Sequence, residues 1–238
     1  MDKMSWGNLY LIPSMLGESS PGMAFPPANL EIISGLDCFI VEEVKTARRF
    51  LRSVGIKTSF EQISFMIFNE HTGNIDVKPF LEPALHGRDT GLLSEAGTPC
   101  IADPGSEIVK KAHELGIRVI PLVGPSSILL SLVASGFNGQ HFSFLGYLPV
   151  EKNQRIRRIK EVEKEMYEKD VTQIFIETPY RNLQLFQALV DFCHPETLLC
   201  LATDVNTLSE NIQTRTIHEW RSHQPDIHKR PTVFLVYK

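Results

Sequence analysis

The sequence predicts an α/β protein of two α/β domains with a ligand cleft between them. Three observations predict it. Short apolar runs alternate with helically spaced segments through the first half of the chain, and alternation at that pitch builds a parallel sheet covered on both faces. After VGPSSILLSLVASG the pattern shifts to longer strands, two long helices and a polar Thr-rich stretch, which implies a second, mixed sheet. Several strand ends also carry small, polar or proline residues, at the place where open α/β sheets hold ligands. The boundary is expected near Val123–Gly124, giving a mostly parallel domain at 1–123 and a mixed one at 124–238.

In chain order, LYLI (9–12), CFIV (38–41), ISFMIF (63–68), GLLS (91–94) and RVIPLV (118–123) read as strands. Between them NLEIISGL, VKTARRFLRSVG and SEIVKKAHELG repeat apolar residues at the helical period. Met15 to Pro27 is rich in Gly, Pro and Ser and reads as a loop. In the second half HFSFLGYL, TQIFIET, TLLCLAT and TVFLVYK are strands, and 151–169 and 180–193 are long helices. Residues 203–217 are polar without helical spacing, so exposed antiparallel strands and turns are expected there.

Composition excludes several classes. No run of ~18 apolar residues is present for a membrane span, and the N-terminus lacks a basic-then-apolar leader pattern, so a cytoplasmic protein with no membrane partner is expected. The net charge of −4 argues against a protein that coats nucleic acid. A local basic run remains at EKNQRIRRIKEVEKE, where Arg155 and Arg158 share a helical face and are candidates for RNA phosphate; a solvated helix face explains the same run. The four cysteines show no metal spacing and read as small buried hydrophobes. The histidines are scattered, so no metal is expected.

The segment LLSEAGTPCIADPGSEIVKKA (91–111) spends eleven residues of Gly, Pro and carboxylate on joining one strand to one helix. Gly97 and Gly105 allow close backbone approach, Pro99 and Pro104 stiffen the loop, and Asp103 is placed to cap the helix. A rigid connection without a ligand would look the same. However, GPSSILL (124–130), IETPY (176–180) and LIPSMLG also end strands in small or polar residues, and a cleft explains all four together. No G-x-G-x-x-G follows the first strand, and neither a Walker loop nor a G-x-S-x-G elbow is present.

SEAGTPCIADPG, GIRVIPLVGPSS, ASGF and FLGYLP resemble the tetrapyrrole methylase family of S-adenosylmethionine-dependent methyltransferases. They are most similar to its branch of small-subunit rRNA cytidine 2′-O-methyltransferases. The resemblance runs from LYLIP to FLVY and implies a homodimer that binds S-adenosylmethionine between its domains. By position it implies cofactor contacts from Pro13, Ser94, Ala96, Gly97, Thr98, Ile101, Ser127, Ile128, Tyr147 and Leu148. Loop amides and carbonyls would hold the ribose and methionyl parts. Glu177 matches an acid that family members carry, and Glu42 and Glu43 match their acidic pair. Glu177 and Glu43 are thus catalytic candidates, each equally placed to be a cap or a structural ion-pair partner.

The chain departs from the branch where substrate would lie. PSMLGE replaces proline-threonine-proline-isoleucine-glycine-asparagine, and Thr203 and Thr207 replace two basic residues. Lys229, Arg230 and Pro231 replace lysine-glycine-glutamate. An rRNA ribose methyltransferase is the expected function. Methylation of a small molecule, or a cofactor-binding protein that has lost RNA methylation, stands as the alternative.

Overall fold

Five short apolar runs pair into one parallel sheet, buried throughout at two of its inner strands and partly exposed at its edges. They are β1 (Leu9–Ile12), β2 (Cys38–Val41), β3 (Ser64–Ile67), β4 (Thr90–Leu93) and β5 (Val119–Pro121), in the order β3-β2-β4-β1-β5. The computed structural model describes residues 6–18, 21–69, 72 and 75–238. The chain forms two compact units, Met1–Ser126 and Ser127–Lys238.

Unit 1 is doubly wound, as its alternation predicted. Successive residues of a strand point to opposite faces, so Ile12, Phe39, Val41 and Leu93 enter one core and Leu9, Ile40 and Leu92 the other. The first core is closed by Ile33 of α2 (Pro27–Ser34) and by Phe50 and Leu51 of α3 (Val44–Ser53), with Phe25 just beyond the short α1 (Pro21–Ala24). The second is closed by Ala84 of α4 (Glu82–Leu85) and by Ile108 and Ala112 of α5 (Gly105–Glu114). The expected loop at 15–27 therefore contains one helical turn and ends by starting a helix; residues 19 and 20 within it lie outside the described residues.

Unit 2 begins with α6 (Ser127–Ser135), then β6 (Phe142–Tyr147), α7 (Lys152–Lys169), β7 (Thr172–Ile176), α8 (Asn182–Phe192), β8 (Leu198–Thr203), β9 (Asn211–Thr216), α9 (Ile217–Trp220) and β10 (Thr232–Tyr237). Its sheet runs β6-β7-β10-β8-β9. β6 and β7 are parallel and the other pairs antiparallel. Ile159, Val162 and Met166 of α7, with Leu185, Phe186 and Leu189 of α8, cover Phe175, Leu201 and Phe234 of the sheet. On α6 the Ser135 carbonyl accepts the Thr214 hydroxyl of β9 at 3.0 Å. The polar 203–217 stretch is a turn followed by the edge strand β9, whose residues are half-buried or exposed.

Three of the four cysteines are buried, and Cys100 is half-buried. Burial pushes the Cys100 thiol up to about 12, so it packs as a hydrophobe.

Candidate active site

In unit 1 the ends of three neighbouring strands are tied together just past β1, β4 and β5. Ser14 and Gly97 exchange backbone bonds, N–H to O at 2.8 Å one way and 3.1 Å the other. The Ser14 hydroxyl donates to the Ser94 carbonyl at 2.7 Å, and the Ser94 hydroxyl donates to the Gly97 carbonyl at 2.9 Å. From the same loop the Thr98 hydroxyl reaches the Pro125 carbonyl at 3.2 Å. Gly97 sits at φ +72°, in the left-handed region. Its N–H is spent on Ser14 and its carbonyl accepts two bonds, so both lone pairs are used. Gly97 therefore gives the loop its shape, and the backbone contact expected of it is taken up inside the protein.

The far end of the loop is closed by Asp103. Its carboxylate accepts from Cys100 N at 2.8 Å and from Gly105 N, the first residue of α5, at 2.8 Å. Burial pushes this carboxyl up, against the pull of those N–H bonds. Between the two anchors Cys100 and Ala102 hold φ +69° and +62°, strained for residues other than glycine. Along this loop Ala96 and Ile101 are exposed while Pro99 is buried. On the neighbouring strand end, a β-carbon on Gly124 would lie 2.6 Å from Pro13 Cβ, so the two segments touch backbone to ring.

Beside this tied loop is a hollow of about 350 Å³, floored by Val41, Phe50 and Leu93 and edged by Ser14, Ser94 and Glu43. Its size and apolar floor suit one small organic ligand. Glu43 is the N-cap of α3. Its two oxygens accept from Lys45 N and Thr46 N, each at 2.8 Å, and these bonds lower its pKa. A cap with both oxygens engaged has little capacity left for proton transfer. Among the described residues no cluster of His, Cys, Asp and Glu could hold a metal ion.

Unit 2 supplies the other candidates. Ser127 opens α6 and is half-buried, while Ile128 behind it is buried. Tyr147 ends β6 and is exposed, and Leu148 is buried in the core. In the parallel pairing Tyr147 stands opposite Ile176, so Glu177 follows at the adjoining strand end. Glu177 is 5% exposed. Its Oε1 accepts from Thr178 N at 2.6 Å and from Arg181 Nε and Nη2 at 3.0 and 2.7 Å. Its Oε2 is buried with no partner among the described residues. Arg181 escaped the sequence reading, although an acid and an arginine four residues apart at a helix start are a detectable pairing signal.

The basic run of α7 differs from expectation. Arg155 lies on the buried face with Ile159, Val162 and Met166, 3% exposed. Its guanidinium donates to the Val150 carbonyl at 3.0 Å, which places it as a structural anchor and not at the surface to meet phosphate. Arg158 is half-buried and paired with Glu161 at 3.3 Å. Nor does Arg230 restore the charge absent from Thr203 and Thr207. It is shared between Asp226, four residues before it, at 2.7 Å and Asp204 at 2.8 Å; only the Asp204 pairing joins distant segments that no local pattern announces.

Comparison with known proteins places this geometry. No protein-family model matches the chain. It is 28% identical over 232 residues to the ribosomal RNA small subunit methyltransferase I of Vibrio cholerae, covering 96% of this chain and 76% of that protein. It is 30% identical over 216 residues to the protein of the same name from Mesorhizobium japonicum, covering 90% and 69%. Among solved structures, the methyltransferase CobJ superposes with a TM-score of 0.64 at 16% identity, over 98% of this chain and 94% of that one; this likeness is one of fold.

Proposed function

The chain belongs to the family of ribosomal RNA small subunit methyltransferase I, and from that premise we propose that it methylates a ribose 2′-hydroxyl of small-subunit rRNA with S-adenosylmethionine as donor. When bound, S-adenosylmethionine supplies an electrophilic methyl group on a sulfonium centre. The residues of unit 1 fit that group: the tied loop 94–104, the exposed Ala96 and Ile101, and the apolar-floored hollow form a stiff, partly apolar cradle. Ser127, Ile128, Tyr147 and Leu148 complete the cofactor contacts in this reading.

The observation that carries the catalytic half is Glu177. A ribose hydroxyl is a weak nucleophile at neutral pH, so a carboxylate that takes up its proton speeds attack. Oε1 is locked by Arg181 and the Thr178 amide, which fixes the orientation of Oε2. Oε2 has no partner among the described residues and so keeps the free lone pairs that a proton acceptor needs. Glu43 acts as a helix cap in this account. The protein works as a cytoplasmic homodimer.

The test is methyl transfer from radiolabelled S-adenosylmethionine to small ribosomal subunits that lack the modification. Glu177→Gln keeps size and loses basicity, so turnover should fall by about 10²–10⁴ while cofactor affinity holds. Turnover within twofold of the parent would remove Glu177 from the mechanism. Transfer to a small molecule in place of RNA would overturn the substrate.

A further inference from the structure

The strand end that carries Glu177 also carries Tyr180, whose side chain is 74% exposed, the most open aromatic among the described residues. Free rotation is not what holds it there. Pro179 precedes it in a 3-10 turn, Arg181 follows with its N–H on the Thr178 carbonyl at 2.8 Å, and the Arg181 guanidinium is fixed on Glu177. A second segment is stapled against this turn. Asn182 Nδ2 donates to the carbonyls of Ile227 and Arg230 at 3.1 and 2.7 Å, and Lys229 N donates to the Pro179 carbonyl at 3.1 Å. Lys229 is held at φ +59° with its Nζ 5.6 Å from the centre of the Tyr180 ring. An unbranched cationic residue is an unfavourable choice for a left-handed position that glycine fills without strain.

We infer that Tyr180 and Lys229 form a nucleotide platform, in which the ring stacks on a base of the RNA substrate and the ammonium meets a neighbouring phosphate. Sequence-tolerant recognition of single-stranded nucleic acid uses this pairing of an open aromatic face with a cation. The position fits: Tyr180 lies three residues beyond Glu177, in the turn that the Glu177–Arg181 pair holds. It also answers the loss of basic residues at 203 and 207. With Arg230 and Arg181 both held by acids, Lys229 is the exposed cation of this segment. The inference rests on the RNA reading above and assigns the residues that grip the substrate.

The experiment measures binding of the full-length protein to a fluorescein-labelled single-stranded RNA of about ten nucleotides, alongside cofactor binding and thermal melting. Tyr180→Ala should weaken RNA binding about 5- to 150-fold, and Tyr180→Phe should leave it nearly unchanged because the ring is kept. Lys229→Gly removes the cation and the backbone strain together. It should raise or hold the melting temperature while lowering the slope of log affinity against log salt by about 0.7. None of the three should alter cofactor affinity. If the parent binds RNA and methylates small subunits but Tyr180→Ala and Lys229→Gly bind equally well, the platform is overturned and the function stands. If Tyr180→Ala changes only self-association, the ring belongs to a protein interface and the inference also falls. A parent that neither binds nor methylates RNA overturns both readings.

Discussion

Replacing Gly97 with alanine tests whether the tied loop is a preformed part of the cofactor site. Gly97 holds φ +72°, where an L-residue costs roughly 1–2 kcal/mol. The added β-carbon would lie 3.0 Å from Leu16 Cδ2 and 3.7 Å from the Pro125 carbonyl. The leucine tip can rotate away, so the contact adds little. The backbone cannot relax without breaking the paired bonds to Ser14 at 2.8 and 3.1 Å, each worth about 1 kcal/mol net. The strain is therefore retained, and the melting temperature should fall by about 2–8 °C. The strained loop is the one on which the cofactor would rest, so calorimetry should also show affinity for S-adenosylmethionine reduced by about tenfold or more. Gly55→Ala is the control. It has a similar φ of +83° with nothing within 4 Å, so it should cost comparable stability and leave cofactor affinity unchanged. If both variants melt lower but bind the cofactor as well as the parent, the loop is only a structural connection. A Gly97→Ala protein as stable as the parent would refute the strain argument itself.

Two further outcomes follow from the same geometry. Arg155→Glu should destabilise unit 2 by about 1–3 kcal/mol, because it buries a carboxylate against the Val150 carbonyl that the guanidinium now satisfies. Arg158→Glu, at a half-exposed ion pair, should change stability by less than about 1 kcal/mol; equal effects in denaturant titrations would contradict these placements. Light scattering at micromolar concentration should give about twice the 26.9 kDa chain mass, and a clean monomer would remove the homodimer from the account.

The fold was legible because both sheets announce themselves in different ways. The largely apolar runs CFIV and TGLL of unit 1 mark strands buried on two faces, and the polar 203–217 stretch marks an exposed antiparallel edge. Short elements were not legible: α4 and α9 have four residues each, fewer than two turns, so no periodicity can accumulate. The strand-end loops stood out by composition, whereas the roles of their residues depended on contacts distant in sequence. The polar backbone atoms of Gly97 are engaged by Ser14, more than eighty residues away in the chain, a pairing that composition does not show. Arg155 looked like surface charge because its run is basic. Helical phase places it three or four residues from successive core positions, and long stems of this kind pack inward when a carbonyl waits for the head group. The Arg230–Asp204 and Lys229–Tyr180 pairings join segments that no spacing rule connects.

The central claim is ribose methylation of small-subunit rRNA, and the most direct measurement is a nucleotide-resolution map of 2′-O-methylation in rRNA from cells with and without the gene. The account predicts that one small-subunit position loses its methyl group on deletion, regains it with the parent gene, and stays unmodified with Glu177→Gln. Identical maps with and without the gene would contradict it.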